Sequence, residues 1–321
     1  MESNWKSRKV VVVGAGAVGS TFAYALAQKG LADEIDLMDA NRDLAEGQVL
    51  DLAHGLPFYP PVQIRVGQKQ DYADAQVIVI TAGARQAPGE TRLALLQKNA
   101  TIITSIVDEI VSQGSQAVIV VASNPVDLLT YVALKRSGCP KGRLIGSGTV
   151  LDSSRFRYLL SQHCGVDVGN VHAYFLGEHG DSEFPAWSMT HIAGVSIDDY
   201  CPICNKCNNW QRERERIVKT VKESAYHIIN YKGATYFAIG MALVRIVGTI
   251  LQDQRSVLPV STLLEGEYGL QDVCLGVPCV VGQGGVREIV EAPLLPGEKE
   301  SLLKSASILQ AALKELTGWS L

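Results

Sequence analysis

The sequence predicts an α/β protein: a Rossmann-type doubly wound parallel sheet over residues 1–146, then an α+β domain over residues 147–321. Three observations carry this expectation. Short apolar runs rich in β-branched residues alternate with helical periodicity through the first half, as in a parallel sheet covered on both faces. A glycine-rich turn joins the first strand to the first helix. Beyond about residue 147 the alternation stops, and strands and helices fall into separate blocks. No repeat or low-complexity linker divides the halves, so they are expected to share a continuous interface.

The elements follow in order. Residues 9–13 hold four successive valines and predict a buried strand. Residues 18–29 carry apolar side chains at helical spacing. A strand at 34–38 and a helix at 44–54 come next, then a strand at 76–81. A long helix is expected over 91–113, a strand over 117–122, a helix over 128–137 and a short strand over 143–146. In the second half the pattern predicts a helix at 153–164, a strand at 170–176 and a charged helix at 210–230. Strands at 256–264 and 273–281 flank a turn at 282–285, and an amphipathic helix over 298–316 closes the chain.

Composition narrows the function. A chain of 321 residues suggests about two domains at roughly 150 residues each. With 47% hydrophobic and 19% charged residues it can bury a sizeable core, which excludes a disordered chain. The 29 basic and 33 acidic residues leave a net charge of −4, no footprint for a nucleic-acid partner. The apolar runs at 77–82 and 117–122 are too short for a bilayer, so no membrane association is expected. Gly14 interrupts the N-terminal valines before a signal-peptide core forms. The 7 cysteines are odd in number and most are scattered singly, which argues against a disulfide framework and for the cytoplasm.

Gly14-Ala-Gly16-Ala-Val18-Gly19 follows the first strand and opens the first helix, and Asp39 ends the second strand. A GxGxxG alone is weak; in this setting it is strong. Gly14 makes the tight turn, Gly16 lets backbone approach a pyrophosphate, and Gly19 lets helix and strand pack closely. The helix N-terminus favours the anion. Asp39 would bind the ribose hydroxyls and repel a 2′-phosphate, so NAD is the expected cofactor rather than NADP. Gly177-Glu-His179-Gly-Asp181 offers a group that exchanges protons near neutral pH, although its pattern also suits a plain polar turn. In the segment from Gly146 to Arg157, Asp152 could fix the histidine tautomer or serve as a helix N-cap, and Arg155 could grip a carboxylate at two points.

These stretches, with ITAGARQAPGETR, ASNPVD, VHAYFLGEHGD and KGATYFAIG, make the sequence resemble the L-lactate dehydrogenase family of the lactate/malate dehydrogenase superfamily, bacterial type. The resemblance spans nearly the whole chain. It implies reversible hydride transfer between NADH and pyruvate to give (S)-lactate, as in fermentative glycolysis, by a homotetramer. It assigns His179 as acid/base, Asp152 as its partner, Arg155 as the carboxylate clamp and Arg92 as an arginine on a loop that closes over the substrate. Asn124 and Thr235 join the substrate pocket. Val18, Gly83, Ala84, Ser105, Ala122, Ser123, Asn124, Ser147 and Ile239 are implied in cofactor binding, beside Gly14, Gly16, Gly19 and Asp39. Arg157 and His172 match positions that bind fructose 1,6-bisphosphate at a subunit interface. Gln86 stands where malate enzymes carry Arg; a neutral side chain there suits pyruvate, because a buried unpaired cation would be costly. The neighbouring Arg85 is read as a solvated loop residue.

Two alternatives remain open in the sequence. One is a malate dehydrogenase of the same fold, which pyruvate and oxaloacetate rates would separate. The other is a catalytically idle NAD-binding relative, which would be expected to have lost His179, Asp152, Arg155 or Arg92. Finally, Cys201-Pro-Ile-Cys204-Asn-Lys-Cys207 has a spacing that ligates zinc given a fourth ligand, with His191 or His172 as candidates. The segment reads as a surface connection bearing a reducible cysteine cluster, and no metal is expected.

Overall fold

The computed structural model describes residues 7–84, 89, 91–204 and 206–316, the Arg92 side chain excepted. The first half contains β1 (Lys9–Val13), α1 (Ala17–Lys29), β2 (Glu34–Met38), α2 (Arg42–His54), β3 (Gln63–Val66) and β4 (Val77–Ile80). It continues through α3 (Arg92–Ser112), β5 (Val118–Val121), α4 (Val126–Ser137) and β6 (Leu144–Gly146). The second half opens with α5 (Val150–Cys164) and five short strands, β7 (Val171–His172), β8 (Phe175–Leu176), β9 (Phe184–Pro185), β10 (His191–Ile192) and β11 (Val195–Ser196). Then come α6 (Ile197–Cys204), α7 (Trp210–Lys232), α8 (Phe237–Leu251), β12 (Ser256–Glu265), β13 (Gln271–Gly282), β14 (Gly285–Ile289) and α9 (Pro296–Glu315).

Nine strands form one sheet in the order β14-β13-β12-β6-β5-β4-β1-β2-β3. β1 to β6 run parallel, with Val10 opposite Ile35 on one side and Val77 on the other. The strand order reverses between β1 and β4, which opens a crevice at their carboxyl ends, where such sheets bind ligands. β12 joins β6 antiparallel at Ser261 and Gly146, so the second half extends the sheet of the first. Val10, Val11, Val12, Ile35, Leu37, Ile78 and Ile80 are fully buried in this sheet. Each contributes roughly 1.5–3 kcal/mol of burial. α8 packs on α1, carrying a second-half helix across the cofactor half. A separate apolar cluster gathers Phe156, Leu160, Cys164, Val171, Ile192, Ile197, Ile217 and Val221 from α5, α6, α7 and the small strands.

Three expectations are corrected. Residues 170–176 form two strands rather than one: β7 pairs with β10, and β8 pairs with β9. Ser153 Oγ accepts from the Phe175 N–H at 2.8 Å, so a side chain replaces a ladder partner there. α8 was absent from the sequence reading because it lacks a side-chain N-cap and is apolar almost throughout. The segment around Cys201 is no surface connection. It is a helix whose Ile197 and Cys201, one turn apart, are buried on one face.

Candidate active site

The crevice end is built by close backbone approach. Gly14 adopts φ 113°, and its N–H donates to Met38 O at 2.7 Å. A Cβ on Gly14 would sit 2.6 Å from Ala82 N, and one on Gly19 would sit 1.8 Å from Gly14 O. A Cβ on Gly16 would meet nothing within 4 Å, so the space beside it is open at the start of α1, whose N-cap has no side-chain partner. Asp39 accepts from Ala15 N at 2.7 Å and Asn41 N at 2.8 Å, which ties the acid to the glycine turn. A bare cradle, a free helix end and a fixed acid are what a dinucleotide requires. Gly19→Ala is therefore expected to raise the dissociation constant for NADH at least tenfold and to cost about 1–3 kcal/mol of stability. Fluorescence titration and chemical denaturation measure both, and an unchanged affinity would refute the packing role.

The loops after β4 and β5 are locked together. Asn99 of α3 accepts from Ala84 N at 2.7 Å and donates to Asn124 O at 2.9 Å. Ser123 Oγ donates to Ala82 O, and Ser147 N donates to Val121 O at 2.8 Å. Gly83, Ala84, Ala122, Ser123, Asn124 and Ser147 thus follow the ends of β4, β5 and β6. Val18 on α1 and Ile239 on α8 are partly buried against the main core. Ser105 is different: it is exposed on α3, in a groove with Thr101, Thr104, Asp108 and Glu109, and its cofactor role rests on the resemblance alone.

Asp152 and Arg155 stand one turn apart at the start of α5, and His179 lies in the loop after β8. Thr149 occupies the N-cap position, so Asp152 is not the cap. Instead Asp152 Oδ2 lies 2.7 Å from His179 Nδ1, and its Oδ1 accepts from Arg155 Nη1 at 2.7 Å. The loop is held from behind. Asp127 on α4 accepts from His179 N at 2.7 Å and from Ser261 Oγ on β12 at 2.6 Å. Burial alone would lower the His179 pKa, but the Asp152 charge and hydrogen bond outweigh it and raise the value to about 9. Burial likewise opposes ionisation of Asp152, yet His179 and Arg155 hold its carboxyl below the usual range. Asp127 is pushed up to about 6 by burial, against its two hydrogen bonds.

The two halves match the two parts of one family description. Residues 8–146 match the lactate/malate dehydrogenase NAD binding domain, and residues 149–318 match the lactate/malate dehydrogenase alpha/beta C-terminal domain. The chain belongs to the lactate/malate dehydrogenase family. An L-lactate dehydrogenase of Treponema denticola is 56% identical over 97% of this chain and 99% of its own. L-lactate dehydrogenase 1 of Clostridium acetobutylicum is 50% identical over 97% of this chain and 99% of its own. The minor L-lactate dehydrogenase of Enterococcus mundtii, crystallised in a ligands-bound form, superposes with a TM-score of 0.94 at 43% identity, covering 98% of this chain and 100% of its own.

As a member of this family the chain is an NAD-dependent oxidoreductase. Gln86 and the side chain of Arg92 lie outside the described residues, as does Arg85; the Arg92 backbone opens α3. Thr235 sits, partly buried, in the turn between α7 and α8. Four contributors went unassigned in the sequence reading: Asn99, Asp127, Ser261 and Glu183. Asp127 had a signal, since it closes the ASNPVD stretch. Glu183 had none. Its Oε2 is buried without a hydrogen-bond partner among the described residues, and its carboxyl group lies within 4.8 Å of the Asp152 and His179 donor atoms. Burial, then the Asp152 charge, hold Glu183 well above the ordinary carboxyl range.

Proposed function

We propose that this dehydrogenase interconverts pyruvate and (S)-lactate. The observation that carries the reading is one buried carboxylate, Asp152, holding a cationic guanidinium and a proton-bearing imidazole side by side. A 2-keto acid presents a carboxylate and a reacting oxygen on adjacent carbons, which that pair fits. Arg155 engages one N–H on Asp152 and retains others for a two-point grip on the substrate carboxylate. His179, with Nδ1 on Asp152, keeps Nε2 for the substrate oxygen. Asn124 and Thr235 line the substrate, and Ile239 offers an apolar wall. Arg92 closes over the ketone oxygen and stabilises its developing charge as water leaves. The nicotinamide, when bound, supplies or accepts the hydride. Most of the cofactor assignments fall in residues 1–146, with Ser147 and Ile239 from the second half, and the acid–base and carboxylate chemistry falls in 147–321; the resemblance adds Gln86, Arg92 and Asn124 from the first half to the substrate site.

The proposal extends to assembly and control. Arg157 and His172 line a common cavity of about 630 Å³ with Arg245, and Arg157 Nε is buried without a hydrogen-bond partner among the described residues. Such a set suits a phosphorylated sugar, and fructose 1,6-bisphosphate is the proposed activator. Exposed Tyr231 and Phe237, at 86% and 65%, support burial in a homotetramer. Seven free cysteines support a reducing cytoplasm. Among the described residues no helix is long and apolar enough to cross a membrane.

A steady-state comparison of pyruvate with oxaloacetate, each with and without fructose 1,6-bisphosphate, tests the reading. Pyruvate is expected to be preferred and the sugar to raise its kcat/KM. Faster reduction of oxaloacetate at equal concentration would overturn the lactate assignment.

The pH profile follows from His179. Reduction needs the protonated ring, so kcat/KM for pyruvate should hold through neutral pH and fall as pH rises through about 9. Lactate oxidation needs the neutral ring and should fall below that pH. The stabilisation of the fold by this imidazolium has the same sign, present below the ordinary histidine value and lost through about 9. Asp152→Asn removes the anion and should move the kinetic limb down toward roughly 6.5. A limb that stays in place would exclude Asp152 as its cause.

A further inference from the structure

Far from Asp152, the last turn of α5 ends in His163 and Cys164, beside α6 and the start of α7. Twelve residues of helix put this end about 18 Å from Asp152. Four cysteines meet there. Cys201 Sγ and Cys207 Sγ are 3.6 Å apart, and Cys204 Sγ donates to Cys201 O at 3.2 Å. The donor atoms of His163, Cys201 and Cys207 lie within 4.8 Å of one another, and so do those of His163, Cys164 and Cys204. Sulfurs about 2.3 Å from a tetrahedral zinc stand about 3.8 Å apart, close to the observed pair.

The histidine supplies an independent observation. Its side chain is only 6% exposed, stacked on the Trp210 ring. Nδ1 lies 3.2 Å from Glu213 Oε1, while Nε2 is buried with no hydrogen-bond partner among the described residues. An unpaired buried ring nitrogen is costly. A carboxylate on the other nitrogen is the arrangement that orients a metal-binding imidazole. The two histidines favoured by sequence proximity, His191 and His172, are not in this group; they pair with each other across β10 and β7.

We propose that Cys201 Sγ, Cys204 Sγ, Cys207 Sγ and His163 Nε2 form a structural tetrahedral zinc site that fastens the end of α5 to α6 and α7, against the sequence expectation of no metal. Binding forms three Zn–S bonds and one Zn–N bond and releases the three thiol protons to solvent. Cys164 lies against Cys204 and, buried in the apolar cluster with Phe156 and Leu160, is assigned to hold that sulfur in place rather than to ligate. The carbonyl end of α5 places negative partial charge near the cation.

The full-length protein, purified under reducing conditions without a chelator, is expected to carry about one zinc per chain by elemental analysis. Replacement with Co(II) alone should give thiolate-to-cobalt charge-transfer bands and the intense visible bands of a tetrahedral ion. Cys204→Ser and His163→Gln should each lower zinc content at least tenfold with kcat on pyruvate little changed, whereas Cys164→Ser and the distant Cys139→Ser should retain it. The proposal fails if wild-type zinc is substoichiometric with all seven thiols titrating freely, if a Cys201–Cys207 disulfide is isolated instead, or if His163→Gln keeps zinc while Cys164→Ser loses it.

Discussion

Replacing His179 by asparagine lowers kcat for pyruvate reduction by about 10²- to 10⁴-fold, the usual contribution of a positioned general acid. The asparagine amide can still donate to Asp152, as His179 Nδ1 does across 2.7 Å, so the buried carboxylate is not left unpaired. The fold should therefore hold. Nothing in the glycine turn or at Asp39 touches the ring, so NADH affinity should be unchanged. What disappears is the nitrogen that exchanges a proton with the substrate oxygen. Fluorescence titration with NADH and steady-state turnover separate these effects. Turnover within tenfold of wild type would remove His179 from its role.

The second large effect concerns substrate choice. Gln86→Arg places a cation where the sequence reading puts the substrate's third carbon. Pairing it with the second carboxylate of oxaloacetate is worth roughly 2–5 kcal/mol. At 1.36 kcal/mol per tenfold, the ratio of kcat/KM for oxaloacetate over pyruvate should rise by about one and a half to nearly four orders of magnitude. Part of the change should be a loss on pyruvate, whose methyl group leaves the guanidinium unpaired. A ratio that moves less than threefold would place Gln86 outside the specificity pocket.

Much of this was legible along the chain. Gly14, Gly16, Gly19 and Asp39 could be read because a strand, a turn and a helix of fixed length put them together, and local backbone geometry needs little else. The apolar runs of β1, β4 and β5 identified a sheet buried on both faces for the same local reason. α8 escaped because an apolar stretch without a cap reads equally as strand or core helix. Asn99 escaped because its work, joining the loops after β4 and β5, is done between segments 15 and 25 residues away.

Local chemistry along the backbone thus settled the class of fold, the cofactor cradle and the residue types available for acid–base work. Which of those residues meet was settled by packing. His179 and Asp152 are 27 residues apart, and their contact exists because the fold brings α5 and the loop after β8 together, with Asp127 and Ser261 holding that loop. The cysteine spacing looked one ligand short, and His163 supplied that ligand only once α5 had packed beside α6 and α7. Side-chain proximity across such separations depends on how buried faces stack, and residue spacing along the chain carries no record of it.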